Sequence, residues 1–143
     1  MPVPPRVSLV TLGVDDLPRS TAFYTALGWA LSPASTEAVS FFRTGGAILA
    51  LFGTEDLVAE TGTVSAVVPG FRGVTLAINV ESAVAVDAAV EDACRAGATL
   101  VKAPSTAEWG GHVGYFADPD GHVWEVAYNP GFPLGGEGLP QLP

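Results

Sequence analysis

The chain is poor in cysteine, histidine and basic residues, and each shortage closes off a class of function. Its one cysteine, Cys94, excludes an internal disulfide and any Cys-x-x-Cys metal site, and its helical setting makes it a small core residue. Six basic residues stand against fifteen acidic ones, a formal charge of −9. With no basic patch to hold a phosphate backbone, nucleic acid is not an expected partner. No apolar run approaches the ~20 residues of a membrane helix, and Met1–Arg6 lacks the apolar stretch of a secretory signal. A cytoplasmic location with no membrane partner is expected. What is present is ordinary globular composition, 48% apolar and 15% charged, in 143 residues that suffice for a single domain with a real core. An acidic surface attracts cationic ligands; it also serves solubility alone.

The pattern along the chain repeats. Residues 7–14 are β-branched and partly alternating, which predicts a strand. Asp15-Asp16 then offers an N-cap, with Pro18 in the first turn of a helix running through Phe23 and Leu27 to a stop at Gly28. Trp29 to Leu31 lead away, and strands at 39–43 and 47–52 are joined by the hairpin turn Thr44-Gly45-Gly46. Residues 54–71 break the pattern as a linker, with a short helix over Glu55 to Glu60 and loop residues Thr61-Gly62-Thr63 and Pro69-Gly70. A strand at 74–80 restarts it. Ser82 is the next N-cap, and Val86, Ala89, Val90, Ala93 and Cys94 recur at helical spacing before Gly97. Strands follow at Thr99-Leu100-Val101, at 112–117 and at 123–128, the last two separated by the turn Asp118-Pro119-Asp120-Gly121. Strand, helix and three strands thus occur twice, a duplicated unit whose halves bury a face against each other. Module one spans about 6–53, module two about 72–129, and 130–143 is an irregular, Gly/Pro-rich tail.

The run Phe116-Ala117-Asp118-Pro119-Asp120-Gly121-His122-Val123-Trp124-Glu125 resembles the F-x-DPDG-x-x-x-E ending of the vicinal oxygen chelate superfamily. That superfamily includes glyoxalase I, bleomycin-resistance proteins, fosfomycin-resistance enzymes and extradiol dioxygenases. The opening, Val10 to Leu17 with Ser20 and Phe23-Tyr24 downstream, is similar to its other signature, and the resemblance covers residues 6–129. It implies an α+β fold in which two tandem βαβββ modules contribute eight strands to an open, cup-shaped mixed sheet with helices on the outer face. It also implies metal ligands on the opening and closing strands of each module. Carried onto this sequence, those positions read Leu9, Ala50, Thr75 and Glu125. A catalytic divalent site takes three or more protein ligands from His, Cys, Asp or Glu, so neither a metal nor another cofactor is expected.

Of the two histidines, His122 follows the turn glycine and reads as an exposed turn residue, whereas His112 stands near the cup rim as a ligand-contact candidate. Alternation puts Val123, Glu125 and Ala127 on one strand face and Trp124, Val126 and Tyr128 on the other. If the first face lines the cup, Glu125 is a carboxylate among apolar neighbours and needs a partner: Arg43, His112, or a ligand amine or hydroxyl. Otherwise it bonds to backbone or water at a strand end. Phe41, Phe42, Tyr115, Phe116 and Trp124 are candidate stacking surfaces or simply core, while Trp109 in its glycine-flanked loop is singled out for ligand contact. Three functions follow from the resemblance. The first is a protein binding a small cationic or aromatic molecule in a metal-free cup. The second is a glyoxalase-type lyase or isomerase with Glu125 as catalytic general base. The third is a non-catalytic dimeric scaffold or regulatory partner. A homodimer is expected, its modules pairing within one chain or across two.

Overall fold

Alternation in the opening strand decides which way the first sheet faces. In β1 (Leu9–Val14), Leu12 and Val14 are 8% and 1% exposed, whereas Leu9 is 46% exposed and Thr11 shares its side. The computed structural model, which describes residues 3–64 and 70–142, continues with α1 (Leu17–Ala26), β2 (Val39–Phe42), β3 (Ile48–Gly53) and α2 (Thr54–Thr61). Then come β4 (Thr75–Asn79), α3 (Ala83–Arg95), β5 (Thr99–Thr106), β6 (His112–Ala117) and β7 (Val123–Tyr128). The expected caps operate. Asp16 accepts from the Arg19 amide at 3.0 Å and Ser82 from the Ala85 amide at 3.1 Å. Gly28 and Gly97 leave α1 and α3 at φ +92° and +113°, a region a side chain would resist. The linker helix extends to Thr54–Thr61, with Glu55 and Asp56 in its first turn, where acidic residues suit the helix dipole. Residues 65–69, including Pro69 of the expected loop, lie outside the described residues.

Each module builds one sheet on the same plan. The first runs β1-β3-β2 and the second β4-β7-β6-β5; in each, the opening strand lies parallel to the closing one and the other pairs are antiparallel. The resemblance implied eight strands, and the described residues form seven. The missing strand of module one shrinks to a single bridge between Leu31 and Phe42. The reason lies in residues 32–38. Pro33 has no amide to give a ladder, and Ser32 and Thr36 turn their hydroxyls onto the amides of Ala34 and Ala38 at 3.1 Å each. Its counterpart β5 keeps eight residues but shifts register on both sides of Lys102. The tail closes on itself through a bridge between Leu134 and Pro140.

Both sheets turn one face to a common core. Leu12, Val14, Phe42, Leu49 and Leu51 come from the first; Phe116, Trp124 and Val126 come from the second. Phe23 and Tyr24 of α1 and Val86, Val90 and Ala93 of α3 complete it, while Cys94 is half-buried beside them. Each fully buried side chain of this kind is worth roughly 1.5–3 kcal/mol in transfer terms.

The Asp118–Gly121 turn joins the modules. One oxygen of buried Asp118 accepts from the amides of Asp120 and His122, both at 2.9 Å. The other accepts from the Tyr24 hydroxyl at 2.6 Å, and that hydroxyl accepts from the Trp124 indole at 3.0 Å. Asp120 accepts in turn from the Asp15 amide at 2.8 Å and the Ser20 hydroxyl at 2.6 Å. His122 is not the exposed turn residue the sequence suggests. It is half-buried, with Nε2 2.8 Å from the Gly13 carbonyl and Nδ1 3.0 Å from Arg72. Since the carbonyl can only accept and the guanidinium can only donate, the ring carries its proton on Nε2.

Candidate functional site

With Trp124 and Val126 committed to the core, Val123, Glu125 and Ala127 occupy the opposite, open face of the second sheet. Strand register sets a row across that face: Ala77 on β4, Glu125 on β7, Tyr115 on β6 and Lys102 on β5. The Tyr115 hydroxyl donates to Glu125 Oε2 at 2.9 Å. Desolvation, reinforced by this hydrogen bond and by the charge of Glu125, raises the phenol pKa above its ordinary value. Small neighbours, Ala77, Ala117 and Ala127, flank the pair, the last two of them buried. The partner of Glu125 is therefore Tyr115, rather than Arg43 or His112. Tyr115 is the site residue the sequence reading passes over as a candidate stacker. It and Glu125 stand equally far from the Asp118–His122 turn, so counting outward along the hairpin pairs them.

His112 lies on the helix side of β6, in phase with buried Phe116. Its Nε2 is 2.8 Å from Asp87 on α3 and its Nδ1 3.0 Å from the Thr106 hydroxyl. Geometry thus separates His112 from Glu125. Arg43 sits in the β2–β3 loop, and among the described residues no carboxylate lies within 4.0 Å of it. Trp109 is 58% exposed at the β5–β6 turn, where the Ala107 amide bonds the Gly111 carbonyl at 2.7 Å. Its indole folds back over Gly111 so closely that an added Cβ there would lie 1.8 Å from the ring. It therefore covers its own hairpin.

The positions that correspond to metal ligands divide between the sheets. Leu9 pairs with Ile48 and Ala50 with Thr11 on the first sheet's open face; Thr75 pairs with Val123 and Glu125 with Ala77 on the second's. Leu9 and Ala50, like Thr75 and Glu125, are thus diagonal neighbours on their sheets. Ala50 is only 1% exposed, in a row with Thr11 and Phe41. Among the described residues no group of three His, Cys, Asp or Glu side chains could hold a metal ion. Leucine and alanine contribute no donor atom, so these residues do not fit the divalent ion of the vicinal oxygen chelate pattern. Both open faces point away from the shared core, and Glu125 lines none of three clefts formed by other parts of the chain.

Comparison with known proteins bears on what this arrangement is. No curated protein matches the chain. Among solved structures, a glyoxalase-related enzyme from Fulvimarina pelagi is 34% identical, with a TM-score of 0.87 over 96% of this chain and 98% of that one. A glyoxalase/bleomycin resistance protein/dioxygenase from Nocardioides is 30% identical, with a TM-score of 0.75 over 100% and 93% of the two chains. Lactoylglutathione lyase from Agrobacterium tumefaciens, at 20% identity and a TM-score of 0.67 over 89% and 96%, shares the fold. Residues 6–126 match the Glyoxalase/Bleomycin resistance protein/Dioxygenase superfamily, and the chain belongs to that family.

Proposed function

We propose that the chain is a homodimeric, cytoplasmic binding protein that holds a small organic cation, aromatic in part, against Glu125 without a metal at the family's ligand positions. The observation that carries this reading is the Tyr115–Glu125 hydrogen bond. Tyr115 has given its only proton to Oε2, so the pair presents acceptors alone and suits a ligand that donates N–H groups. The formal charge of −9 favours the same sign of ligand. Dimerisation would supply the second wall. The open face of the first sheet carries Leu9 and Ile48, 46% and 41% exposed, with half-buried Phe41 and Phe52 beside them. That is apolar surface suited to covering the Glu125 face of a partner. A lyase or isomerase with Glu125 as general base has weaker support, because one of its oxygens is already engaged and Leu9 and Ala50 offer no group to stabilise an enolate.

Two measurements test the proposal. In calorimetric titration with benzamidine and a panel of cationic aromatic drugs, at least one compound should bind saturably while benzoate does not. Glu125→Gln should weaken that binding by about tenfold or more, the worth of a charge-assisted hydrogen bond. A panel that leaves heat and melting temperature unchanged overturns the reading. Protein purified without chelator should contain well under one equivalent of Zn, Ni, Mn or Fe; a full complement would remove the metal-free part of the proposal.

A further inference from the structure

A cavity of about 580 Å³ opens where the two modules meet, a volume suited to a small organic ligand. Trp29 and Trp124 stand on its wall as an edge-to-face pair with centroids 5.5 Å apart, beside Val10, Leu49, Leu76 and Ile78. Trp124 is only 6% exposed and has given its N–H to Tyr24, so it backs the wall, and half-buried Trp29 presents the aromatic surface. The rim is built from two segments fitted to each other, the β2–β3 loop at residues 43–47 and the tail at 137–140. Gly45 admits the tail closely, since a Cβ there would lie 3.0 Å from the Glu137 carbonyl. Backbone bonds hold the tail's shape: the Gly135 amide to the Leu139 carbonyl at 2.8 Å and the Gln141 amide to the Pro133 carbonyl at 2.9 Å. The rim also carries two opposite charges, Arg43 and Glu137, both exposed. Among the described residues neither has an ion-pair partner within 4.0 Å, so they line one cavity without neutralising each other.

We infer that this cavity is a second small-molecule site, for an aromatic amino acid or a similar zwitterion whose ring meets Trp29, whose carboxylate meets Arg43 and whose ammonium meets Glu137. The two charge signs distinguish it from the Glu125 face, which presents acceptors only, and the inference stands independently of ligand binding there. An arene whose side chain carries an ammonium and a carboxylate on one carbon offers a partner to each of the three features. A simple cation or anion leaves one rim charge unmet.

The test exploits the tryptophan count. Trp109→Phe leaves Trp29 and Trp124 as the only tryptophans of three, so emission reports the cavity. In that background L-phenylalanine should change emission saturably, and L-alanine should not. Arg43→Gln and Glu137→Gln should each weaken phenylalanine about tenfold, as expected for loss of one charge-assisted hydrogen bond, with melting temperatures unchanged at these exposed positions. Phenylacetate should respond to Arg43→Gln alone and phenethylammonium to Glu137→Gln alone. The inference is overturned by absence of a saturable signal, by alanine matching phenylalanine, or by a phenylalanine affinity in either variant equal to that of the Trp109→Phe parent. Benzamidine should still titrate at saturating phenylalanine if both sites exist, and its failure to bind at all leaves the emission experiment intact.

Discussion

Replacing Asp118 by alanine is expected to lower the unfolding free energy by about 3–5 kcal/mol, the range for removing one member of a buried polar network. The side chain is 3% exposed and serves three donors at once: the Tyr24 hydroxyl and the amides of Asp120 and His122. Alanine takes the acceptor from all three, the hydroxyl in a buried setting and the two amides in part-buried ones. Tyr24 is fully buried, so its hydroxyl has no route to solvent without opening the contact between α1 and β7. For a chain of this size the loss corresponds to a melting temperature lower by roughly 10 °C. Asp118→Asn should cost about half as much, because its carbonyl can keep the two amide bonds while its amide group meets a hydroxyl already accepting from Trp124. Denaturant unfolding of the two variants checks the order; an alanine variant within 1 kcal/mol of the parent, on the scale of an ordinary single hydrogen bond, overturns it.

Alkaline destabilisation should be the second large effect. Burial, then the charge of Asp118 and the hydrogen bond to it, raises the Tyr24 pKa far above its ordinary value of 10.0. Below pH 10 folded and unfolded chains both keep the proton, so this stability is fully present. Above it the unfolded chain loses the proton and the folded chain does not; the unfolded state binds fewer protons, and stability falls as pH rises. The slope is about 1.4 kcal/mol per pH unit, or roughly 2.7 kcal/mol between pH 10 and 12. Urea unfolding across pH 9–12 reads it, and Tyr24→Phe, though less stable at pH 8, should show a shallower alkaline slope. Absorbance at 295 nm provides the counter-check: Tyr24 ionising near pH 10 in the native protein would contradict the sign.

Both effects fall on residues of the motifs that made the family legible in the sequence. Phe23-Tyr24 and Asp118-Pro119-Asp120-Gly121 are the two halves of a joint between modules, which explains why they mark the fold so well and say little about chemistry. Helix ends were legible because Asp16, Ser82, Gly28 and Gly97 act locally. The face of Glu125 was legible through alternation with Trp124 and Val126. Less visible was anything that depends on pairing between strands. Tyr115 becomes the partner of Glu125 only once the β6–β7 register is set, and that register also carries His112 to the helix side, onto Asp87. The strand lost at Leu31 was hidden for a different reason: its fate depends on side-chain oxygens at Ser32 and Thr36 competing for backbone amides.

That loss leaves the outer rim of the first sheet as β2, four residues long, beside a loop whose Pro33 has no amide and whose Ser32 and Thr36 occupy two others. The far rim of the second sheet, β5, carries Lys102 and Pro104 and shifts its register between paired residues. Short length, proline, lysine and irregular register are the means by which exposed strands refuse a stranger. The outer rims are therefore poor templates for fibrillar growth, and the two sheets can leave their open faces uncovered without their margins recruiting further strands.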